Sequence, residues 1–93
     1  MLVAIDMATD QASLALHDGF RVHVEHTWEA PRRQTTELVP RLAAAMEQLD
    51  LKPKQLSGVA VTRGPGSFTG LRIGLSVAKG LAVAQGLPLV GVP

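Results

Sequence analysis

The sequence predicts one α/β domain, built from a mixed five-stranded sheet with two helices packed on it. Three observations support this fold class. Short apolar runs recur along the chain, an Asp18-Gly19 pair separates two of them, and stretches of helical length separate the later ones. The resulting order of elements is β-β-β-α-β-α-β. Because crossovers between parallel strands are right-handed, the fourth strand is expected beside the first and the fifth beyond it, which gives the strand order 3-2-1-4-5.

The first three strands are predicted to form a meander. Leu2–Ile5 is a continuous apolar run, as expected of a central strand buried on both faces, and Ala12–His17 follows it. Asp18-Gly19 favours a two-residue type I′ turn, because both positions of that turn need a positive φ. Phe20–Trp28 then alternates between an apolar and a polar face, which is typical of an edge strand. The side chains predicted to share one face are Phe20, Val22, Val24, His26 and Trp28.

The rest of the chain alternates helices and strands. Thr35 or Thr36 is expected to cap a first helix that runs to about Asp50. Pro40 fits this helix only near its first turn, since an interior proline would kink it. A strand over 56–62, a second helix over about 70–85 and a last strand over 88–92 follow. The apolar stripe of the first helix consists of Leu38, Leu42, Met46 and Leu49.

Composition and charge exclude several classes of function. With 93 residues, of which 46% are hydrophobic and 18% charged, the chain has the composition of one small globular domain. A net charge of +1 gives no sequence-level case for direct nucleic-acid binding, and the lack of cysteine excludes thiolate chemistry. The N-terminus has no basic leader, and Arg72 and Lys79 interrupt the apolar stretch after Gly70. A cytoplasmic protein without a membrane span is therefore expected.

A glycine-rich loop, RGPGSFTG, joins a predicted strand to the second helix. In that setting, backbone N–H groups and a helix N-terminus can bind an anion. The spacing of Gly64, Gly66 and Gly70 departs from the dinucleotide fingerprint, and no lysine completes a mononucleotide P-loop. Ser67 also lacks the flanking glycines of a nucleophile elbow. Two interpretations remain open: a phosphate site, or a tight turn in which Ser67 or Thr69 caps the helix.

The second predicted helix has almost no polar face. Gly70, Gly74, Ala78 and Ala82 recur every four residues, and leucines and valines fill much of the remainder. One interpretation is that the small residues seat the helix closely on the sheet. The other is that one small domain cannot cover so much apolar surface, so that another chain covers part of it. We prefer the second interpretation.

The titratable residues form no evident catalytic arrangement. His23 and His26 point to opposite faces of one strand and cannot share a metal ion, so no metal site is expected. Asp6 ends a buried strand, where it could serve a nucleotide or cap the turn that follows. No pair of carboxylates is placed for acid–base chemistry, and no nucleophile has an adjacent base.

Two segments of the chain resemble one known family. LVAIDMATDQASLAL and RGPGSFTGLRIGLSVAKGLAVAQGLPLVGV are similar to the N-terminal lobe of the TsaB (YeaZ) family, and GPGSFTGLRIG is nearly a signature of it. The resemblance covers the whole chain. It implies an actin/Hsp70/hexokinase-like (ribonuclease H-like) fold, and it implies that residues 1–93 are one lobe, a fragment of a longer two-lobe protein.

The resemblance also implies a function. TsaB-like proteins are non-catalytic partners of a paralogous TsaD subunit, which transfers a threonylcarbamoyl group to adenosine in tRNA. A TsaE-like ATPase joins the assembly, tRNA is met only through the complex, and TsaB alone forms homodimers. The partner surface carried over from the helix pairing of this family is Leu38, Leu42, Gly70, Leu71, Gly74, Leu75, Ala78 and Ala82.

Departures from the usual phosphate loop of this fold weaken the case for an intrinsic nucleotide site. Met7 and Ala8 follow Asp6 where small hydroxyl or glycine residues are usual, and Gln34 stands where many relatives have a histidine. No intrinsic cofactor is therefore expected, and ATP or ADP with Mg²⁺ would bind, if at all, in the partner-assembled complex. The weak phosphate-site prediction consists of Asp6, Thr9, Gly64, Gly66 and Ser67.

Two other functions remain as alternatives. An autonomous nucleotide-binding enzyme of the sugar-kinase and actin-like superfamily is favoured by Asp6 together with the loop at 64–70. A peptidase is a weaker alternative, because the sequence shows neither a metal set nor a nucleophile set.

Overall fold

The computed structural model describes residues 1–29 and 37–93, apart from Ser67 and the side chain of Phe68. The strands are β1 (Leu2–Asp6), β2 (Gln11–His17), β3 (Val22–Glu29), β4 (Gly58–Thr62) and β5 (Leu89–Val92). The helices are α1 (Leu38–Gln48) and α2 (Phe68–Gln85), and a short 3-10 turn spans Pro53–Gln55. The predicted loop at 30–34, both proposed caps of the first helix (Thr35 and Thr36) and Ser67 lie outside the described residues.

The sheet has the predicted topology. Its strand order is β3-β2-β1-β4-β5, with antiparallel pairing in the meander and parallel pairing from β1 to β4 and from β4 to β5. The register places Ala4 of β1 between Ala15 of β2 and Ala60 of β4. The carboxyl ends of β1 and β4 therefore lie side by side, which brings the loops after Asp6 and Thr62 to the same edge of the sheet.

The hairpin between β2 and β3 is wider than predicted. β3 begins at Val22, and the Asp18 carboxylate accepts hydrogen bonds from the backbone N–H groups of Phe20 (2.7 Å) and Arg21 (2.9 Å). The prediction of a two-residue type I′ turn was wrong, because the aspartate side chain caps a longer loop. An irregularity at Leu16/His17 also shifts the register, and Phe20 is 95% exposed rather than on the face of Trp28.

Both helices cover one face of the sheet. α1 packs on β2 and β3, while α2 packs on β4, β1 and the edge strand β5. Alternate side chains of the strands point into this layer and are buried. They include Val3, Ile5, Leu14, Leu16, Val24, Trp28, Val59 and Val61. The core therefore lies between the sheet and the two helices.

Local chemistry explains where the helices begin and end. Pro40 is the third residue of α1, in the first turn as expected, where its missing N–H costs nothing. α2 ends at Gly86, whose φ of 64° lies in the left-handed region that glycine enters without strain. The N–H of Leu87 then donates to the carbonyl of Ala82 (2.8 Å), closing the last turn and directing the chain into β5.

Candidate functional site

The glycine-rich loop after β4 is pressed against the loop after β1. A Cβ placed on Gly66 would lie 2.5 Å from the carbonyl oxygen of Ala8 and 2.7 Å from its Cβ. Such distances are shorter than real Cβ contacts, so only glycine fits at position 66 while the loops keep this spacing. The glycine is therefore explained by contact between two loops of the same domain.

The side chains predicted for a phosphate site are engaged in closing the turn between β1 and β2. Oδ1 of Asp6 accepts a hydrogen bond from the backbone N–H of Ala8 (3.0 Å). Oγ1 of Thr9 donates to the carbonyl of Gln11 (3.0 Å) and accepts from its N–H (3.2 Å). This geometry favours the turn-capping interpretation of Asp6.

The small-residue stripe of α2 faces the sheet of its own domain. Gly70, Ala78 and Ala82 are buried, and a Cβ on Gly74 would lie 3.2 Å from Cγ of Met7 and 3.6 Å from Cγ2 of Val61. The chain's own sheet therefore covers these four positions, and their predicted contact with a second chain stays a prediction. Their spacing of four lets the helix axis approach the sheet closely.

The other predicted partner residues divide into two groups. Leu38 and Leu42 of α1 are buried in the core, with exposed fractions of 0% and 7%, and their contact with a partner stays a prediction. Leu71 is half-buried and Leu75 is 36% exposed, and both border a cleft beside β5. Most of the predicted partner residues thus lie on the sides of α1 and α2 that pack on the sheet.

The sequence interpretation missed the outward side of α2. Ile73 and Val77 are half-buried against the core, and a Cβ placed on Gly80 would meet no group of the described residues within 4 Å. Together with Thr69, Arg72 and Ser76, the two aliphatic residues border a groove of about 300 Å³. The signal was present in the sequence as a second stripe, because positions 73, 77 and 80 repeat at intervals of four and three.

α1 presents a second exposed apolar position, Val39. The guanidinium of Arg41 stacks over the ring of Trp28 in β3, 4.7 Å from its centroid, which turns that flank of α1 toward the outer edge of the sheet. Val39 lies about 200° around the helix from Arg41, on the opposite flank of α1, and it is 57% exposed. We call Val39, Ala43, Ile73, Val77 and Gly80 the outer helix face.

One ionic contact lies far from this surface, in the hairpin between β2 and β3. Oδ2 of Asp18 is 2.6 Å from Nε2 of His23. The hydrogen bond from His23, with those from the N–H groups of Arg21 and Phe20, holds the pKa of Asp18 well below its usual value. The pair fixes the hairpin loop and supplies no group to the outer helix face.

Two other kinds of feature are absent from the described part of the chain. No three His, Asp or Glu side chains in those ranges converge on a point that could hold a metal ion. Of the helices described, neither combines the length and the hydropathy needed to cross a bilayer.

Known proteins resemble this chain in sequence and in structure. Residues 28–93 match the family model "TsaD: tRNA N6-adenosine threonylcarbamoyltransferase". The tRNA threonylcarbamoyladenosine biosynthesis protein TsaB of Escherichia coli K12 is 37% identical over 91 residues, covering 98% of this chain and 39% of that protein. A tRNA N6-adenosine threonylcarbamoyltransferase of Pelobacter propionicus is 33% identical over 108 residues, covering 99% of this chain and 32% of that protein.

The structural comparison agrees with the sequence comparison. YeaZ from Pseudomonas aeruginosa superposes with a TM-score of 0.88 at 35% identity, covering 98% of this chain and 42% of that one. The chain thus spans about two fifths of the length of these TsaB and YeaZ proteins. The sheet order, the two helices on one face and the glycine-rich loop are accordingly those of an actin-like, ribonuclease H-like lobe, and the chain belongs to the TsaB (YeaZ) branch of the TsaD family.

Proposed function

We propose that this chain is a non-catalytic subunit in the formation of threonylcarbamoyladenosine on tRNA, and that it pairs with a TsaD-like paralogue through the outer helix face. The observation that carries the proposal is the apolar outward side of α2, where Ile73 and Val77 flank the open position of Gly80. A glycine that contacts none of the described residues outside its own helix weakens that helix by about 1 kcal/mol relative to alanine. Close approach by a partner helix would account for its presence.

The chemistry of the described residues supports an accessory role. Asp6 and Thr9 are engaged in a turn, and Gly66 lies in close contact with Ala8 of the neighbouring loop. We therefore propose that the chain carries no intrinsic cofactor and that ATP or ADP with Mg²⁺, where required, binds in the assembled complex. We also propose that a TsaE-like ATPase joins the complex, that the isolated chain forms a homodimer, and that the protein is cytoplasmic.

The alternative function, an autonomous nucleotide-binding enzyme, is tested by calorimetry of the purified chain with ATP and Mg²⁺. Our proposal predicts no stoichiometric heat of binding in the absence of a partner. Saturable binding with one site per chain would favour the alternative.

The pairing is tested by co-purification of the chain with the TsaD-like paralogue of the same organism. We expect Gly80→Arg to weaken the complex by at least about 30-fold, because a charged side chain in the centre of an apolar interface costs about 2 kcal/mol or more. The variant should stay folded, since arginine is a better helix former than glycine. Ala44→Arg, which adds the same charge on the Arg41 flank of α1, is the matched control.

Two outcomes contradict the assignment of this surface. The first is a Gly80→Arg variant that co-purifies as well as the unmodified chain. The second is equal loss of the complex in the Ala44→Arg control. Wild-type association should also persist at high salt, because the outer helix face is apolar and screening weakens contacts between exposed charges.

A further inference from the structure

The charges of this chain are separated along its sequence. All eight acidic residues lie within residues 1–50, together with four of the nine Lys and Arg residues. Residues 51–93 hold the other five cations and no acid, so the net charge of +1 is the sum of −4 in residues 1–50 and +5 in residues 51–93. The total charge therefore conceals a basic half, which comprises β4, α2 and β5.

Three of these cations lie on one flank of the basic half. Arg63, Arg72 and Lys79 are all exposed. Lys79 follows Arg72 by seven residues, which is two helical turns, so both project from the same side of α2 about 10 Å apart along its axis. Arg63 and Arg72 line one cleft of about 280 Å³ with Thr62, Leu71 and Leu75. We call Arg63, Arg72 and Lys79 the basic flank.

The edge strand β5 is built to hold Arg63 in place. The backbone N–H of Arg63 donates to the carbonyl of Val92 (2.8 Å), and its side chain crosses Gly91. A Cβ on Gly91 would overlap Cγ and Cδ of Arg63, so the glycine provides the space for that aliphatic stem. A charged group whose stem is already ordered loses less side-chain entropy when it binds a ligand.

We propose that the basic flank binds the phosphate backbone of RNA. Guanidinium and ammonium groups are the usual ligands of phosphate oxygens. The segment that carries the basic flank, residues 51–93, contains no Asp or Glu, and Asp6 ends the neighbouring strand β1. Among polyanions we choose RNA because the proposed function is in tRNA modification. The identity of the ligand therefore rests on that proposed function. Arg72 and Lys79 lie about 100° or more around α2 from Ile73 and Val77, and Arg72 also borders the groove beside these two residues.

Fluorescence anisotropy with a labelled, unmodified tRNA transcript tests the proposal. The double variant Arg63→Gln/Lys79→Gln is compared with Lys52→Gln/Lys54→Gln, which removes two cations of the same segment at the opposite end of β4. For the first double variant we expect Kd to rise about tenfold or more at low salt. The slope of log K against log salt should become shallower by about 1.4 to 1.8, the value for two lost phosphate contacts. Arg72→Gln, a surface helix position, is measured separately because Arg72 also borders the groove of the outer helix face.

Three results would overturn the proposal. The first is that the unmodified chain does not bind the transcript at low salt. The second is that the two double variants weaken RNA binding equally. The third is that Arg63→Gln/Lys79→Gln leaves RNA binding unchanged and instead releases the TsaD-like partner. The last result would assign the flank to a protein contact. Failure of the proposed pairing gives a different result from failure of RNA binding. In that case Gly80→Arg still co-purifies with the TsaD-like paralogue, while the salt slope of RNA binding is as expected. Circular dichroism of each variant confirms that it is folded.

Discussion

Gly74 of α2 lies against Met7, and the absence of a Cβ at position 74 is what brings the helix this close to the sheet. A Cβ there would be 3.2 Å from Cγ of Met7 and 3.6 Å from Cγ2 of Val61. A single methyl group can be accommodated by a small shift of the flexible methionine, whereas a longer side chain cannot.

This contact predicts opposite responses at two glycines of one helix. Gly74→Leu should lower the free energy of unfolding by about 1–3 kcal/mol through overpacking. Gly80→Leu should be neutral or raise it by up to about 1 kcal/mol, because that position is open and leucine is a better helix former than glycine. Urea unfolding of both variants measures the difference, and equal effects at the two positions would show that α2 does not pack on the sheet by this side.

The contact of Gly66 with Ala8 predicts a second stability effect. Gly66→Ala should cost about 1–3 kcal/mol, because the new methyl group would overlap backbone atoms that cannot rotate away. Adding Ala8→Gly to that variant should restore only part of the loss, since the carbonyl oxygen of residue 8 remains. Thermal unfolding of the single and double variants checks this. Full restoration by the second change would instead attribute the overlap to the Ala8 side chain.

The lowered pKa of Asp18 predicts a pH-dependent contribution of the hairpin to stability. Because the pKa of the folded state lies below that of the unfolded state, the carboxylate stabilises the fold above about pH 4, and this contribution is lost as the pH falls through the folded-state pKa. The difference in unfolding free energy between the unmodified chain and Asp18→Asn should therefore shrink between pH 5 and pH 2. A difference that stays constant over this range would contradict the hydrogen-bonding role. Glu25→Gln, on the neighbouring strand, serves as a control.

Gly91 connects the edge strand to the basic flank. Gly91→Ala should displace the Arg63 side chain while costing less than about 1 kcal/mol of stability, because a flexible side chain rather than backbone must move. If Arg63 contacts RNA from this position, the salt slope of RNA binding should fall by about 0.7 to 0.9, as for one lost phosphate contact. An unchanged slope would show that the position of Arg63 over Gly91 does not matter for binding.

The sequence was sufficient to predict the order of elements and of strands, because both follow from local signals. Apolar runs mark the strands, and the right-handed crossover places β4 beside β1 and β5 beyond it. The width of the hairpin was not predictable from the Asp18-Gly19 pair, since the capping by Asp18 depends on its hydrogen bonds to residues 20 and 21. Phe20 was assigned to the wrong face for the same reason.

The site was harder to predict because α2 is apolar around most of its circumference. Periodicity identified Gly74, Ala78 and Ala82 as one stripe, but it could not say whether that stripe faces the sheet or a partner. Packing decides the question, since the stripe with the smallest side chains gives the closest approach to β1 and β4. Likewise, a net charge of +1 argued against a nucleic-acid surface, although separation of the charges along the chain leaves one flank basic.

Thiol footprinting of the outer helix face tests the pairing most directly, because the chain contains no cysteine of its own. Gly80→Cys and Val90→Cys, two exposed positions on α2 and β5, are alkylated in the presence and absence of the purified TsaD-like paralogue. The account predicts that the paralogue strongly slows alkylation at position 80 and leaves position 90 unaffected. Equal alkylation rates at position 80 with and without a bound paralogue would contradict it.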